Sequence, residues 1–353
     1  MAGNKSLTAA NKAKEDEFYT ELSDIENELK HYKHHFKGKV VLCNCDDPRI
    51  SNFFHYFSYN FEQLGLKKLI TTCYKSQERD LFSQNNSERA IWLEYTGDRN
   101  GNRVPDPEEI GINYLKGDGD FRSPECIELL KQADIVVTNP PFSLFRDYVA
   151  QLIKYEKKFV IIGNQNAITY KEIFPLIQEN KMWLGSALSF AKFRVPDYYE
   201  PRATRFWVDE TGQKWRSMGN ICWFTNLDIA KRHEELIMYK SYNSTDFPKY
   251  DNYNAINVNR VAEIPMDYDG VIGVPITFMD KYNPEQFEIV GMGEDNGTGH
   301  SGGVWEGGSK SCLVNGKAAF KRIFIRRKQP AAYAQPDEQL PQAAEPQNNY
   351  SGK

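Results

Sequence analysis

The 353-residue sequence contains no apolar run approaching the roughly 20 residues that a membrane-spanning helix needs. Its polar start, Met1-Ala-Gly-Asn-Lys5, lacks the apolar core of a signal peptide, so a cytoplasmic protein with no membrane partner is expected. Metal-type and redox-type cysteine pairs are also missing: Cys43, Cys45, Cys73, Cys126, Cys222 and Cys312 show neither zinc-finger nor thioredoxin spacing. That argues against a disulfide scaffold and suits reduced thiols in a reducing compartment. Nor is there a surplus of positive charge. A net charge of −4 speaks against a surface that coats nucleic acid indiscriminately. No internal repeat is visible. His31, His34 and His35 fall on one helical face, but their Lys-rich, solvated surroundings read as a plain surface helix, and no metal is expected.

What is present is a large supply of core: 40% of residues are hydrophobic and 13% aromatic, enough for one or two domains. Residues 1–14 are small, polar and slightly basic, an expected flexible arm. A helical pattern follows from Glu15 to about His35, with Leu22, Ile25 and Leu29 at spacings of three and four. Short apolar runs at 39–43, 67–71, 112–115, 134–138 and 158–163 then alternate with potential helices at 51–64, 124–131 and 143–155. This pattern predicts an α/β fold with a mostly parallel sheet covered on both faces. The catalytic core is expected over 15–180. From 181 to 328 the periodicity weakens and aromatic words such as Arg205-Phe-Trp and Lys214-Trp-Arg appear, indicating α+β structure that continues or decorates the first sheet. Residues 329–353, rich in Pro, Gln, Ala and Asn, read as a disordered tail.

One stretch carries chemistry. The strand Asp134-Ile-Val-Val-Thr138 runs into Asn139-Pro140-Pro141-Phe142. Two prolines cannot continue a ladder, so the strand must end at Thr138 in a stiff corner at its carboxyl end, the edge where ligands bind in open α/β sheets. An exocyclic amine is a poor nucleophile because its lone pair is delocalised. The Asn139 oxygen and the Pro140 carbonyl can accept both amine hydrogens and draw the nitrogen toward a tetrahedral shape. Phe142 offers a face on which a planar base can stack.

The electrophile should sit over the same edge. The first strand leads into Asn44-Cys-Asp-Asp47, and Gly117-Asp-Gly-Asp-Phe121 follows the third; such acidic loops suit a cationic or hydroxyl-rich ligand better than a phosphate. A second glycine pattern, Gly291-Met-Gly293 with Gly297 and Gly299, is not followed by an amphipathic helix and reads as a loop. Basic and aromatic residues interleave in Lys317–Lys328. Alternation in Arg322-Ile-Phe-Ile-Arg326 predicts a strand that turns its isoleucines to the core and sets Arg322 and Arg326 with Phe324 on the other face, a row that can follow a nucleic-acid phosphate backbone.

These words together resemble the EcoRI-type adenine-specific DNA methyltransferases, from Asp16 to Lys328. The resemblance rests on Asp16-Glu-Phe-Tyr-Thr20, Val41 to Arg49, Leu66 to Ile70, Gly117 to Arg122, Asp134 to Arg146, Ile168 to Glu172, Tyr250 to Tyr253 and Gly273 to Phe278. It implies a Rossmann-like core, S-adenosylmethionine as methyl donor and N6 of an adenine flipped out of duplex DNA as acceptor. Asn139, Pro140, Pro141 and Phe142 would form the catalytic corner. Phe18, Tyr19 and Thr20 would wrap the donor's methionine end, Asp120 and Phe121 would lie near its adenine ring, and Asn44 and Asp46 would complete its site. Residues past about 181 would supply target recognition. A monomer is expected, with a cognate restriction endonuclease acting on the same site without being bound. Two features depart from the wider methyltransferase pattern: the first strand leads into Asn44-Cys-Asp-Asp47 instead of a glycine-rich loop, and the second ends in Thr71-Thr72 without a terminal acid. The rival readings are an RNA or protein-glutamine methyltransferase using the same corner, and a non-catalytic DNA-binding protein.

Overall fold

Apolar runs of four to seven residues set between amphipathic segments fold as an α/β core. The computed structural model describes it over residues 19–44, 51–73, 90–102, 105–106, 109–187, 192–195, 197, 199–293 and 299–328. Strands form at Val40–Asn44 (β1), Lys68–Thr72 (β2), Ile91–Tyr95 (β3), Gly111–Tyr114 (β4), Ile135–Thr138 (β5), Lys158–Asn164 (β6) and Trp183–Leu184 (β7). Helices form at Leu22–Leu29 (α1), Asn52–Tyr59 (α2), Phe61–Leu64 (α3), Pro124–Gln132 (α4), Phe145–Lys154 (α5) and Phe174–Gln178 (α6). Local signals set several of these limits. Ser123 caps α4 by accepting from Cys126 N at 3.3 Å, with Pro124 at the first helical position. Gly65, left-handed at φ 63°, ends α3. The histidines do not share one helix face: α1 stops at Leu29, and His34 and His35 lie in a separate short turn.

The chain continues through Phe193–Arg194 (β8), Phe206–Val208 (β9), Lys214–Arg216 (β10), Ile221–Thr225 (β11), Ile256–Asn257 (β12), Ile272–Pro275 (β13), Phe287–Met292 (β14), Leu313–Val314 (β15), Lys317–Ala318 (β16) and Arg322–Arg327 (β17). The main sheet has eight strands in the order β4-β3-β2-β1-β5-β6-β11-β7. Its centre, β2-β1-β5-β6, is parallel. Its flanks are antiparallel, which makes the sheet mixed rather than mostly parallel. The sheet also takes β7 and β11 from beyond residue 180. Strand β3 has no counterpart among the predicted strands, although Ile91, Leu93 and Tyr95 alternate inward as a strand should.

Both faces of the sheet are covered. On one side Val40, Leu42, Val136, Phe159 and Ile161 pack with α4, α5 and α6; on the other Val41, Cys43, Ile135, Val137, Val160 and Ile162 pack with α1, α2 and α3. The first of these cores runs on without a break into the four-stranded sheet β12-β13-β17-β14, through Ile272, Val274, Phe287, Ile289, Ile323 and Ile325. Gln178 of α6 ties the two sheets by donating to the carbonyls of Ile289 and Val290 at 3.2 and 2.9 Å.

After β1 the chain moves to one side of that strand to form β2, and it later returns to the other side as β5. The carboxyl ends of β1 and β5 therefore flank the topological switch point, where an open α/β sheet leaves a crevice.

Candidate active site

The strand-ending corner lies at that crevice. Asn139 is 7% exposed, Pro140 is buried, and Pro141 and Phe142 are half-buried. Beyond Pro141 the chain tightens into a 3-10 turn over Phe142–Leu144, closed by Leu144 N donating to Pro141 O at 3.0 Å, before α5 begins. Phe142 packs against the core on the α1–α3 side. Asn139 Nδ2 donates to Thr20 Oγ1 at 3.3 Å. Thr20 is itself buried, its carbonyl accepting from Asn52 Nδ2 at 2.7 Å. The segment Tyr19-Thr20 thus crosses the carboxyl edge of the sheet between the corner and α2.

Asn44, at the end of β1, is held from two directions. Its carbonyl accepts from the Thr138 hydroxyl, and its side-chain oxygen accepts from the Tyr148 hydroxyl of α5. The Tyr148 ring meets Phe121 edge-on, centroids 5.0 Å apart. Gln151, also on α5, donates to Phe121 O at 2.9 Å. One helix therefore joins the loop after β1 to the loop after β4. That second loop is pinned at both ends: Glu125 accepts from Lys116 N at 3.0 Å and Gly117 N at 2.9 Å, and Gly119 sits at φ 81° against the end of β2. A Cβ at Gly119 would lie 2.1 Å from the Cys73 carbonyl oxygen, so only glycine allows this approach.

Asp120 in the same loop is engaged by its neighbour. Arg122 donates to it from Nε at 2.9 Å and Nη2 at 2.6 Å, and these hydrogen bonds hold the carboxyl below its usual range. The edge thus gathers Tyr19, Thr20, Asn44, Asp120, Phe121 and the Asn139–Phe142 corner. Phe18 and Asp46 lie outside the described residues. Tyr148 and Asn52, which fix Asn44 and Thr20, were not among the residues singled out in the sequence. A buried tyrosine needs a partner for its hydroxyl, but nothing in the sequence points from Tyr148 to Asn44.

The basic strand near the end of the chain is arranged differently from the expectation. Arg322 and Phe324 do share a face of β17, but that face is covered by a third core of Tyr250, Tyr253, Ala255 and Val271. Arg322 is 7% exposed; its guanidinium donates to Asn257 Oδ1 at 3.2 Å, Asn259 Oδ1 at 3.0 Å and Phe320 O at 2.8 Å. It does not form a solvent-facing row with Arg326, which is exposed and pairs with Glu288 at 2.6 Å. The glycine-rich segment also has a packing role. Gly302, at φ 63°, would place a Cβ 2.0 Å from the Val290 carbonyl, so these glycines let the chain press against the end of β14, in the second sheet.

A mixed α/β sheet with a crevice at the switch point of its parallel centre is the architecture of a methyltransferase core. Residues 6–328 match the family described as adenine-specific methyltransferase EcoRI. The chain is 51% identical over 331 residues to the Type II methyltransferase M.EcoRI of Escherichia coli, covering 93% of this chain and 98% of that protein. It is 41% identical over 290 residues to the Type II methyltransferase M.MgeORF184P of Mycoplasma genitalium (80% and 84% covered). To M.MpnI of Mycoplasma pneumoniae it is 40% identical over 287 residues (80% and 83% covered). No solved structure matches the chain. The chain belongs to the EcoRI family of adenine-specific methyltransferases and is an enzyme with a Rossmann-like methyltransferase core.

Proposed function

We propose that this enzyme transfers a methyl group from S-adenosylmethionine to N6 of an adenine in duplex DNA, as the modification partner of a restriction endonuclease that acts on the same site. The observation that carries the reading is the Asn139 corner, buried at the switch point and joined to Tyr19-Thr20 on one side and, through Thr138, to Asn44 on the other. The edge fits the donor. Its described polar groups are the amides and hydroxyls of Thr20, Asn44 and Asn139 and the carboxylate of Asp120, with the Phe121 ring beside them, a set that suits a cationic, hydroxyl-rich ligand. Thr20, Asn44, Asp120 and Phe121 would hold the donor, which supplies an electrophilic methyl carbon on its sulfonium.

The protein's own contribution is geometric and electrostatic. A base stacked in a duplex cannot reach a sheet edge, so the adenine is flipped out and its ring lies on Phe142. Its amino hydrogens are accepted by Asn139 Oδ1 and the Pro140 carbonyl, which directs the nitrogen lone pair toward the donor as the nitrogen changes shape. Because both acceptors sit on a proline-stiffened corner, little reorganisation is needed at the moment of transfer. The relatives' names, Type II methyltransferases, support a modification role. No helix among the described residues is long and apolar enough to cross a membrane. We place target recognition in residues 181–328, and a single chain carries the whole proposed site. The test is transfer of tritium from labelled donor to duplex DNA, RNA and protein, followed by nucleoside analysis. Label recovered as N6-methyladenine from DNA supports the reading, and label confined to RNA or glutamine side chains overturns it.

A further inference from the structure

One face of the three-stranded sheet β8-β10-β9 meets the protein core; the other is covered at its centre, where Trp215 is 8% exposed, and open at the Trp207 edge. Phe193, Val195 and Phe206 point inward, onto the core that holds α1–α3. On the outward face the register sets a row: Tyr19 bridges Arg194, Arg194 pairs with Trp215, and Trp215 pairs with Trp207. Directly paired residues of antiparallel strands share a face, so the row reads ring, cation, ring, ring across the sheet. Arg194 lies over the Tyr19 ring at 5.5 Å, and Lys192 Nζ lies 3.6 Å from the Trp215 centroid. Among the described residues the side-chain contact of each cation is an aromatic ring, and the buried Arg194 Nε has no hydrogen-bond partner. Trp207 is 39% exposed. The nearby carboxylate, Asp209, is occupied as a turn cap, accepting from Thr211 N at 2.9 Å, Gln213 N at 3.1 Å and Trp215 Nε1 at 2.8 Å.

This face is continuous with the catalytic edge. Tyr19, the first residue of the row, precedes Thr20, whose hydroxyl accepts from Asn139. Resting on the DNA-methyltransferase reading above, we infer that the outward face of β8-β10-β9 docks the sugar-phosphate backbone of the DNA strand flanking the flipped adenine, with Lys192 and Arg194 meeting phosphates and Trp207 packing against an adjoining sugar or base. The chemistry is complementary: two cations held by rings rather than by carboxylates keep their charge for a polyanion, and an exposed indole offers a surface to the groups between phosphates. The location is also suitable, since the backbone on either side of an extruded nucleotide must pass close to the corner that receives it.

The experiment measures binding of a duplex oligonucleotide to the full-length protein across a salt series, for the wild type and for Lys192→Gln and Trp207→Ala. Both are partly exposed side chains whose replacement leaves the inward face intact, and thermal melting checks each fold. Lys192→Gln should lower the slope of log affinity against log salt by roughly one. Trp207→Ala should weaken binding about tenfold, an amount within the range of a lost aromatic stack, with donor affinity unchanged in both. Wild-type slope and affinity in both folded variants would overturn the proposal. Methyl transfer to DNA by the wild-type enzyme is scored separately, so a failure of the docking face leaves the active-site reading standing, and a failure of that reading shows in the wild type itself.

Discussion

Replacing Arg322 by alanine separates a structural arginine from a phosphate-binding one. The guanidinium makes three hydrogen bonds inside the protein, to Asn257, Asn259 and the Phe320 carbonyl. Truncation would leave Asn257 Oδ1 with the Tyr250 hydroxyl at 2.8 Å and Asn259 Oδ1 with Asn257 Nδ2 at 3.1 Å, so the two amides are weakened rather than stranded. Hydrogen bonds to a charged group contribute about 1.5–3 kcal/mol each, and the desolvation of the arginine is recovered when it is removed, so a net loss of about 2–4 kcal/mol is expected. At roughly 2–4 °C per kcal/mol the melting temperature should fall by about 4–16 °C. Arg326→Ala removes only an exposed pair with Glu288 and should cost about 0–1 kcal/mol. Calorimetry on both variants, with a salt series for DNA binding, reads the two effects together. An Arg322→Ala protein that melts within about 1 °C of the wild type but has a shallower salt slope would refute the structural role and restore Arg322 to the DNA.

Three further outcomes follow from the geometry. Gly119→Ala places a methyl 2.1 Å from the Cys73 carbonyl in a left-handed backbone position, so it should weaken S-adenosylmethionine binding by displacing Asp120 and Phe121; titration calorimetry showing normal affinity would contradict it. Thr20→Val removes the hydroxyl that accepts from Asn139 and should reduce kcat more than donor affinity, with Thr20→Ser restoring it; loss confined to donor affinity would assign Thr20 to the donor alone. His233 is bonded to Asp228 at 2.9 Å and Glu285 at 3.2 Å, which raises its folded pKa above the unfolded value near 6.5, so its stabilisation is full below that pH and fades as pH rises through the folded pKa. Melting curves of His233→Ala should therefore differ from the wild type more at pH 6 than at pH 9, and the reverse order would refute the assignment.

The centre of the fold could be read from the sequence because its signals are local. Val40–Asn44 and Ile135–Thr138 are apolar runs that end abruptly, and two prolines state where the second must stop. Strand β3 was harder to see: Ile91 to Tyr95 is five residues long, buried on one face only, and finds its place by pairing antiparallel with β2 and β4. The site shows the same division. Asn139 and Asn44 are marked by their strand ends, whereas Tyr148 reaches Asn44 from 104 positions away through the packing of α5. Alternation in β17 correctly separated Ile323 and Ile325 from Arg322 and Phe324, but a period of two cannot tell whether the second face meets water. Tyr250 and Tyr253, some seventy residues earlier, close that face and bury the arginine.

The central claim is that Asn139 activates an adenine amine, and single-turnover methyl transfer with Asn139→Ala tests it most directly. Wild-type and variant enzymes are loaded with labelled S-adenosylmethionine, mixed with duplex DNA lacking N6-methyladenine, and quenched over time. Donor and DNA affinity should be nearly unchanged, because the lost acceptor acts mainly as the nitrogen changes shape, while the transfer rate should fall by about 10²-fold or more. A folded Asn139→Ala protein that forms N6-methyladenine at close to the wild-type rate would contradict the account.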